Sequence, residues 1–415
     1  MPTLTVYHIT PPDKQATPAE DRLKAAFDAV YHITPPDKQA TLTVHLGKRG
    51  IGYEATTESM PSDSLYAALI AQAAMLEGLP PDSDASPQFA RPYLEAAEPP
   101  YRFSSLFPRI GHIPLLPRPA LALDRLVPDE ERRSTIGKGF KKLRYLSPKL
   151  FARLCDPNAP DPGDPWVTQG GTVWLSQEEA EAAEIARLLP DNQGTPKAKD
   201  LRQALEATRW WRTEQIPRVT VDRVSNASAF YEVGRVVFAA GCGLVLYVQS
   251  QPTAPLAALD GLLNLLGDSG LGGRRSSGYG ACQFVRQQSD LCLPDPHAPT
   301  HTVLLSRFIP QRAEIRALTA PSAAYQLVTV GGWLYSPGFS GQRRQEITLV
   351  REGAALVPPN PPQALRGQMV DVRPDYRTSA TEHPLYGNGQ GTTHPVYRSG
   401  IALGVPAHVV QEQPV

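Results

Sequence analysis

Cysteine is scarce in this chain: Cys155, Cys242, Cys282 and Cys292 are the four in 415 residues. None forms a C-x-x-C pair or stands at zinc-ligand spacing from a histidine, so no zinc or other metal site is expected, and a reduced intracellular thiol set follows. No apolar run approaches the roughly 18 residues of a membrane span, and the N-terminus lacks the apolar core of a signal peptide. The expectation is a cytoplasmic protein without membrane contact. Net charge is missing as well, with 41 basic residues against 41 acidic ones. No global field then attracts a polyanion, and a nucleic-acid surface would have to arise from local segregation of charge. Proline, by contrast, is abundant at 43 residues, about twice ordinary usage. A length of 415 residues allows two or three domains with many proline-pinned loops.

The most informative stretch is GDSGLGGRRSSGYG at residues 267–280. Gly270, Gly272, Gly273, Gly278 and Gly280 permit positive φ and close backbone approach to a ligand. Arg274 and Arg275 add forked, permanently charged donors suited to phosphate. Ser276, Ser277 and successive backbone N–H groups complete an anion-binding nest, with Tyr279 available for base stacking. Residues 256–266 read as an apolar helix before the loop, and residues 281–285 as a short strand after it.

This order excludes better-known motifs. A Walker loop requires a lysine and runs from strand to helix, whereas this loop leaves a helix. The dinucleotide pattern G-x-G-x-x-G fails at Arg275. The GDSG tetrapeptide resembles a trypsin-like nucleophile loop, but Leu271 follows it, and no histidine has the matching setting.

Charge does segregate locally. Residues 132–154 carry eight basic residues, among them Lys138, Lys141 and Lys142, with no acidic one, and Glu178, Glu179, Glu181 and Glu184 follow. Residues 6–17 and 30–41 are the same twelve letters, VYHITPPDKQAT. Two copies are too few for a solenoid, so residues 1–40 are read as a duplicated leader without assigned function, with a short helix within 21–30. The fold is expected to begin at Thr41 with an alternating strand. A loop holding Lys48 and Arg49 follows, then a helix N-capped by Ser62 or Asp63. Residues 230–239 and 243–250 read as two strands joined by a tight turn.

From Thr41 the elements read β-α, an insertion around 78–215, then β-β-α-β. That is an α+β, ferredoxin-like (RRM-like) domain over 41–295 with a long insertion. Strands after His301 indicate a second, β-rich domain over 301–415.

The stretches GKRGIGYEATTESMPSDSLYAAL (47–69), RVTVDRVSNAS (218–228), GDSGLGGRRSSGYGACQF (267–284), GGWLYSPG (331–338) and HPVYRSGIALGVP (394–406) carry a resemblance. The chain resembles the RAMP (repeat-associated mysterious protein) superfamily of CRISPR effector subunits, and within it the family of fourth subunits of type III-A Csm complexes. The resemblance implies a non-catalytic subunit without cofactor that grips the 5′ tag of the guide crRNA. It implies docking on the large polymerase-like Csm subunit, next to a backbone RAMP subunit and near target RNA at the complex base. By position, the glycine loop with Arg274 and Arg275 would hold the tag backbone. Arg218, Arg223, Lys48 and Arg49 would lie in neighbouring RNA-contacting segments, and the basic run with Lys138, Lys141 and Lys142 adds further candidates. The resemblance also implies that the insertion includes a thumb-like hairpin that wedges into guide–target pairing, without a placed tip.

Two other readings compete. Guide-processing RAMP nucleases share the glycine loop and add a general acid/base, for which His45 or Asp63 are the candidates. A protein-only scaffold would leave the arginines idle.

Overall fold

The computed structural model describes residues 23–25, 27–36, 41–48, 53–81, 83–95, 98–127, 138–189, 198–287, 292–294, 296–334, 342–359, 364–374 and 394–409. The elements used below are numbered in chain order. They are β1 (Ala29–Thr34), β2 (Thr43–Val44), β3 (Gly47–Lys48), β4 (Tyr53–Thr56) and α1 (Ser62–Leu76), followed by β5 (Tyr101–Phe103), β6 (Phe107–Ile110) and β7 (Ile113–Pro114). After an inserted segment come β8 (Trp211–Val221), β9 (Ser228–Phe238), β10 (Gly243–Ser250), α2 (Leu256–Ser269) and β11 (Gln283–Gln287). The C-terminal half contributes β12 (His301–Leu304), β13 (Leu327–Val330) and β14 (Ile347–Val350).

The central sheet has the order β11–β1–β10–β6–β7, with β5 also on β10, and its neighbours run antiparallel. Its middle strand β10, GLVLYVQS, is apolar on both sides because both faces are covered. On one face lie α1 and α2. Tyr66 of α1 packs on Phe103 at 4.8 Å, and Tyr31 of β1 donates to Asp260 of α2 at 2.6 Å. On the other face an aromatic chain runs from Phe107 through Tyr145 and Trp211 to Phe238, with ring centroids 6.0 to 6.5 Å apart. Tyr145 belongs to an inserted four-stranded sheet ordered Trp166–Thr168, Val173–Leu175, Tyr145–Leu146, Leu116–Pro117. This insertion covers that face of the central sheet.

A second sheet, β8–β9–β4–β3 with β2 on β9, is dominated by the long antiparallel hairpin of β8 and β9. In the C-terminal half, β12 lies between Ala355–Leu356 and Gly404–Ala407, and β13 pairs with β14. The halves are sewn together by buried polar groups. Arg102 donates to the carbonyls of Leu365 and Ala402 at 2.8 and 2.7 Å, and the Ser105 amide donates to that of Leu305 at 2.9 Å. Asp63, 1% exposed, accepts from Arg398 at 3.1 Å and Arg307 at 3.2 Å.

Four expectations are corrected. The fold does not begin at Thr41: Val30, Tyr31 and Ile33 are 3%, 1% and 0% exposed in the sheet centre, so the second copy of the repeat supplies a core strand. No helix spans 21–30; Leu23–Ala25 is extended and pairs with Cys292–Pro294, because Phe27 and Ala29 must lead straight into β1. Residues 230–239 and 243–250 are strands but not partners, since β9 pairs with β8 and β10 with β1. The insertion does not start at 78, as β5 to β7 join the central sheet. The first repeat copy lies outside the described residues.

Candidate nucleic-acid interface

The glycine loop leaves α2 where Gly270 takes φ +87° and its amide donates back to Leu266 at 2.9 Å. A left-handed Arg274, φ +59°, turns the chain into a short 3-10 turn over Arg275–Ser277, which Gly278 closes at φ +84°. The glycines divide into two kinds. A Cβ on Gly272 would stand 2.4 Å from the His45 carbonyl oxygen, so this glycine serves packing inside the protein. Around Gly278 nothing lies within 4 Å of such a Cβ, so it faces open space with exposed Arg275, Ser276 and Ser277.

The loop rests on the base of the β8–β9 hairpin. The register opposes Arg218 to Tyr231 and Glu214 to Arg235, placing Arg212, Arg218, Arg235 and Tyr231 on one face. Across the seam the two elements exchange arginine–tyrosine contacts. Arg274 of the loop lies 5.1 Å from the Tyr231 ring centroid, a cation–π distance, and Arg218 of the hairpin donates to the Tyr279 hydroxyl at 3.3 Å. Arg235 forms a two-point ion pair with Glu214 at 2.8 and 2.9 Å, which pushes the guanidinium pKa up. Arg212, Arg218, Arg235 and Arg274 thus gather at this seam on a chain of zero net charge.

The opposite hairpin face is apolar and open. Val219 and Phe230 face each other at 58% and 65% exposure, Val221 is 56% exposed, and Val224 at the tip reaches 93%. The tip is a tight Asx turn: Asp222 accepts from the Val224 amide at 3.0 Å and the Ser225 hydroxyl at 2.6 Å. These hydrogen bonds hold its pKa below the usual carboxylate value.

The expected site residues separate accordingly. Arg218, Arg274, Arg275, Ser276, Ser277 and Gly278 share this surface, and Arg223 stands exposed in the hairpin turn. Tyr279 is corrected: at 6% exposure its ring is buried and cannot stack on a base, and its hydroxyl orients Arg218 instead. Lys141 and Lys142 are exposed on the short helix Lys138–Lys142 of the insertion, where Lys142 packs by Gly171. Lys48 extends β3, and Arg49 lies outside the described residues. Tyr231, Arg235 and Arg212 escaped the sequence reading. Their signal was the alternation RTEQIPR against YEVGR, which puts charges and an aromatic on one strand face.

The two candidates for acid/base chemistry are held in structural contacts. Asp63 is clamped by two arginines, and Pro61, not Ser62 or Asp63, is the helix N-cap. His45, 2% exposed, has Nδ1 2.6 Å from the Gly234 carbonyl oxygen. Among the described residues no group of three or more His, Cys, Asp or Glu could hold a metal ion, and no helix is long and apolar enough to cross a membrane.

Comparison with known proteins agrees with this architecture. Residues 297–407 match the family model of the CRISPR Csm4 C-terminal domain. Over 264 residues, 61% of this chain and 70% of the relative, the sequence is 24% identical to the CRISPR system Cms protein Csm4 of Thermococcus onnurineus (strain NA1). A chain of the crystal structure of the Csm3–Csm4 subcomplex in the type III-A CRISPR-Cas interference complex matches with TM-score 0.56 and 16% identity, covering 92% of this chain and 100% of that one. A chain of the Csm1–Csm4 cassette in complex with cA4 gives TM-score 0.48 and 15% identity, covering 92% and 99%. The fold is therefore shared with a chain of that Csm3–Csm4 subcomplex. In sequence the chain is similar to a Csm4 protein, most specifically over residues 297–407, which match the Csm4 C-terminal domain.

Proposed function

We propose that this chain is the non-catalytic, cytoplasmic subunit that grips the 5′ tag of the guide crRNA, with the glycine loop and the basic face of the hairpin as one backbone-tracking surface. The observation that carries this reading is the exchange of arginine–tyrosine contacts across their seam. It gathers phosphate-binding guanidinium groups around an open turn on a chain whose charges balance as a whole. Single-stranded RNA suits such a groove, because phosphates supply the charge and no base need enter a closed pocket. The strand order β11–β1–β10–β6, all antiparallel with two helices on one face, supports a ferredoxin-like arrangement.

The β8–β9 hairpin fits the thumb of the RAMP resemblance. Its apolar side, with Val219, Val221 and Phe230 below Val224, presents wedge-like side chains to guide–target pairing. The matched relatives are a Csm3–Csm4 subcomplex and a Csm1–Csm4 cassette. Their partners supply the neighbours proposed for this chain: a Csm3-type backbone subunit and a Csm1-type large subunit. The buried settings of His45 and Asp63 favour binding over cleavage.

The test is binding of a labelled RNA carrying the repeat-derived tag. Charge-assisted phosphate contacts contribute about 1.5 to 3 kcal/mol each. Arg274→Ala with Arg275→Ala should therefore weaken binding on the order of a hundredfold and reduce the log–log salt slope by roughly 1.4. Wild-type affinity of the double variant at every salt concentration would reduce the loop to a surface turn.

A further inference from the structure

We infer that His45 is the joint that fixes the glycine loop against the base of the hairpin, a positioning residue for RNA that does not itself touch RNA. The inference rests on reading loop and hairpin as one RNA surface. His45 directly follows β2 and uses two different parts of itself. Its ring Nδ1 lies 2.6 Å from the carbonyl oxygen of Gly234 in β9. A carbonyl only accepts, so this nitrogen carries the hydrogen and donates. Its main-chain carbonyl accepts from the Gly273 amide at 2.9 Å, with a parallel bridge to Gly272. Two residues earlier, the Thr43 carbonyl accepts from Gly280 at 2.9 Å, tying down the other end of the loop.

The ring also packs against the loop. A Cβ at Gly273 would stand 2.9 Å from His45 Cδ2, so only a glycine there lets the ring lie where it does. The two anchored residues flank the charged contacts. Gly273 immediately precedes Arg274, and Gly234 lies between Tyr231 and Arg235 in β9, on the strand opposite Arg218. A shift of the ring would therefore move Arg274 relative to Tyr231 and Arg218 relative to Tyr279. With the ring 2% exposed, RNA has no direct access to it.

The main-chain half of the joint survives any substitution, so side-chain variants isolate the ring. An asparagine amide nitrogen occupies the place of Nδ1 and can still donate to Gly234, whereas the longer glutamine cannot place its nitrogen there. His45→Ala and His45→Gln should lose tag-RNA affinity by about tenfold, the loss expected from one buried hydrogen bond. His45→Asn should bind like the wild type. In the RNA-free protein, hydrogen exchange should rise together in the loop and in the β8–β9 hairpin of the first two variants, with β10 unchanged.

Loss of binding in His45→Asn equal to that in His45→Ala, with exchange unchanged, would overturn the inference in favour of a ring that contacts RNA. If His45→Ala fails to fold, the contrast between Asn and Gln carries the decision alone. If the wild type does not bind tag RNA, the RNA reading falls. The joint then stands on coupled exchange in His45→Gln and falls if exchange stays at wild-type levels.

Discussion

Removing residues 1–40 deletes the first copy of VYHITPPDKQAT, all but Thr41 of the second, and with them β1, the strand between β10 and β11. Val30, Tyr31 and Ile33 are essentially inaccessible. At about 1.5 to 3 kcal/mol per fully buried apolar side chain, their loss costs roughly 5 to 9 kcal/mol. That is comparable with the whole stability of a typical domain, about 5 to 15 kcal/mol. The damage also spreads, because β11 pairs only with β1 among the described strands and carries the far end of the glycine loop. The truncated chain should be insoluble or fail to bind tag RNA. Removal of residues 2–22 keeps β1 and should therefore lower melting temperature and RNA binding less than removal of residues 1–40. A third variant separates the strand from its lead-in: deleting 6–29 yields the same polypeptide as deleting 18–41, with one copy joined directly to Leu42. It keeps Val30–Thr34 of β1 but replaces Ala29 and loses the Phe27 contact with Tyr247 at 4.8 Å, a cost of roughly 2 kcal/mol. Thermal unfolding and solubility of the three variants decide the matter. Wild-type folding and RNA binding without residues 1–40 would refute the placement of β1.

Tyr279→Phe removes only the hydroxyl that orients Arg218 and should weaken tag binding about threefold, whereas Tyr279→Ala should destabilise the fold by about 3 to 4 kcal/mol. A stacking tyrosine would give the reverse, with Phe silent and Ala folded. The folded state should also lose stability in mild acid. Burial, then the nearby Arg109 and His112, push the His32 pKa down to about 4, against 6.5 when unfolded. The unfolded chain therefore binds more protons between these values, and stability falls as pH drops from about 6.5 to 4, by roughly 3 kcal/mol at most. Urea midpoints measured at pH 7 and pH 5 should converge in His32→Gln, provided the glutamine is accommodated.

How much could be read in advance depended on the distance over which a contact acts. The helix of α2, the glycine loop and β11 are consecutive, and their apolar spacing and glycines specify them locally. The presence of strands after His301 was legible for the same reason. Alternation identified β9 and β10 as strands but carries no information about partners, so they were assigned to one hairpin. The duplicated letters hid β1, because an identical copy upstream made the segment look dispensable. Tyr279 looked exposed because its partner Arg218 is 61 positions away, and the Gly234 contact of His45 spans 189.

The clamp around Asp63 bears on what counts as a folding unit. The segment recognised by the family model, 297–407, shares its core with the rest of the chain: Val303, Leu305, Tyr397 and Leu403 pack in the same cluster as Tyr66, Phe103 and Leu246. Arg398 is 6% exposed, and its carboxylate lies on α1. Cut free, the segment would carry Arg398 without its Asp63 counter-charge and a naked apolar seam, each costly in water or in a core. Evolutionary modularity and cooperative folding thus diverge here. The piece that homology delimits is not one that can be excised, and the two halves should melt in a single transition.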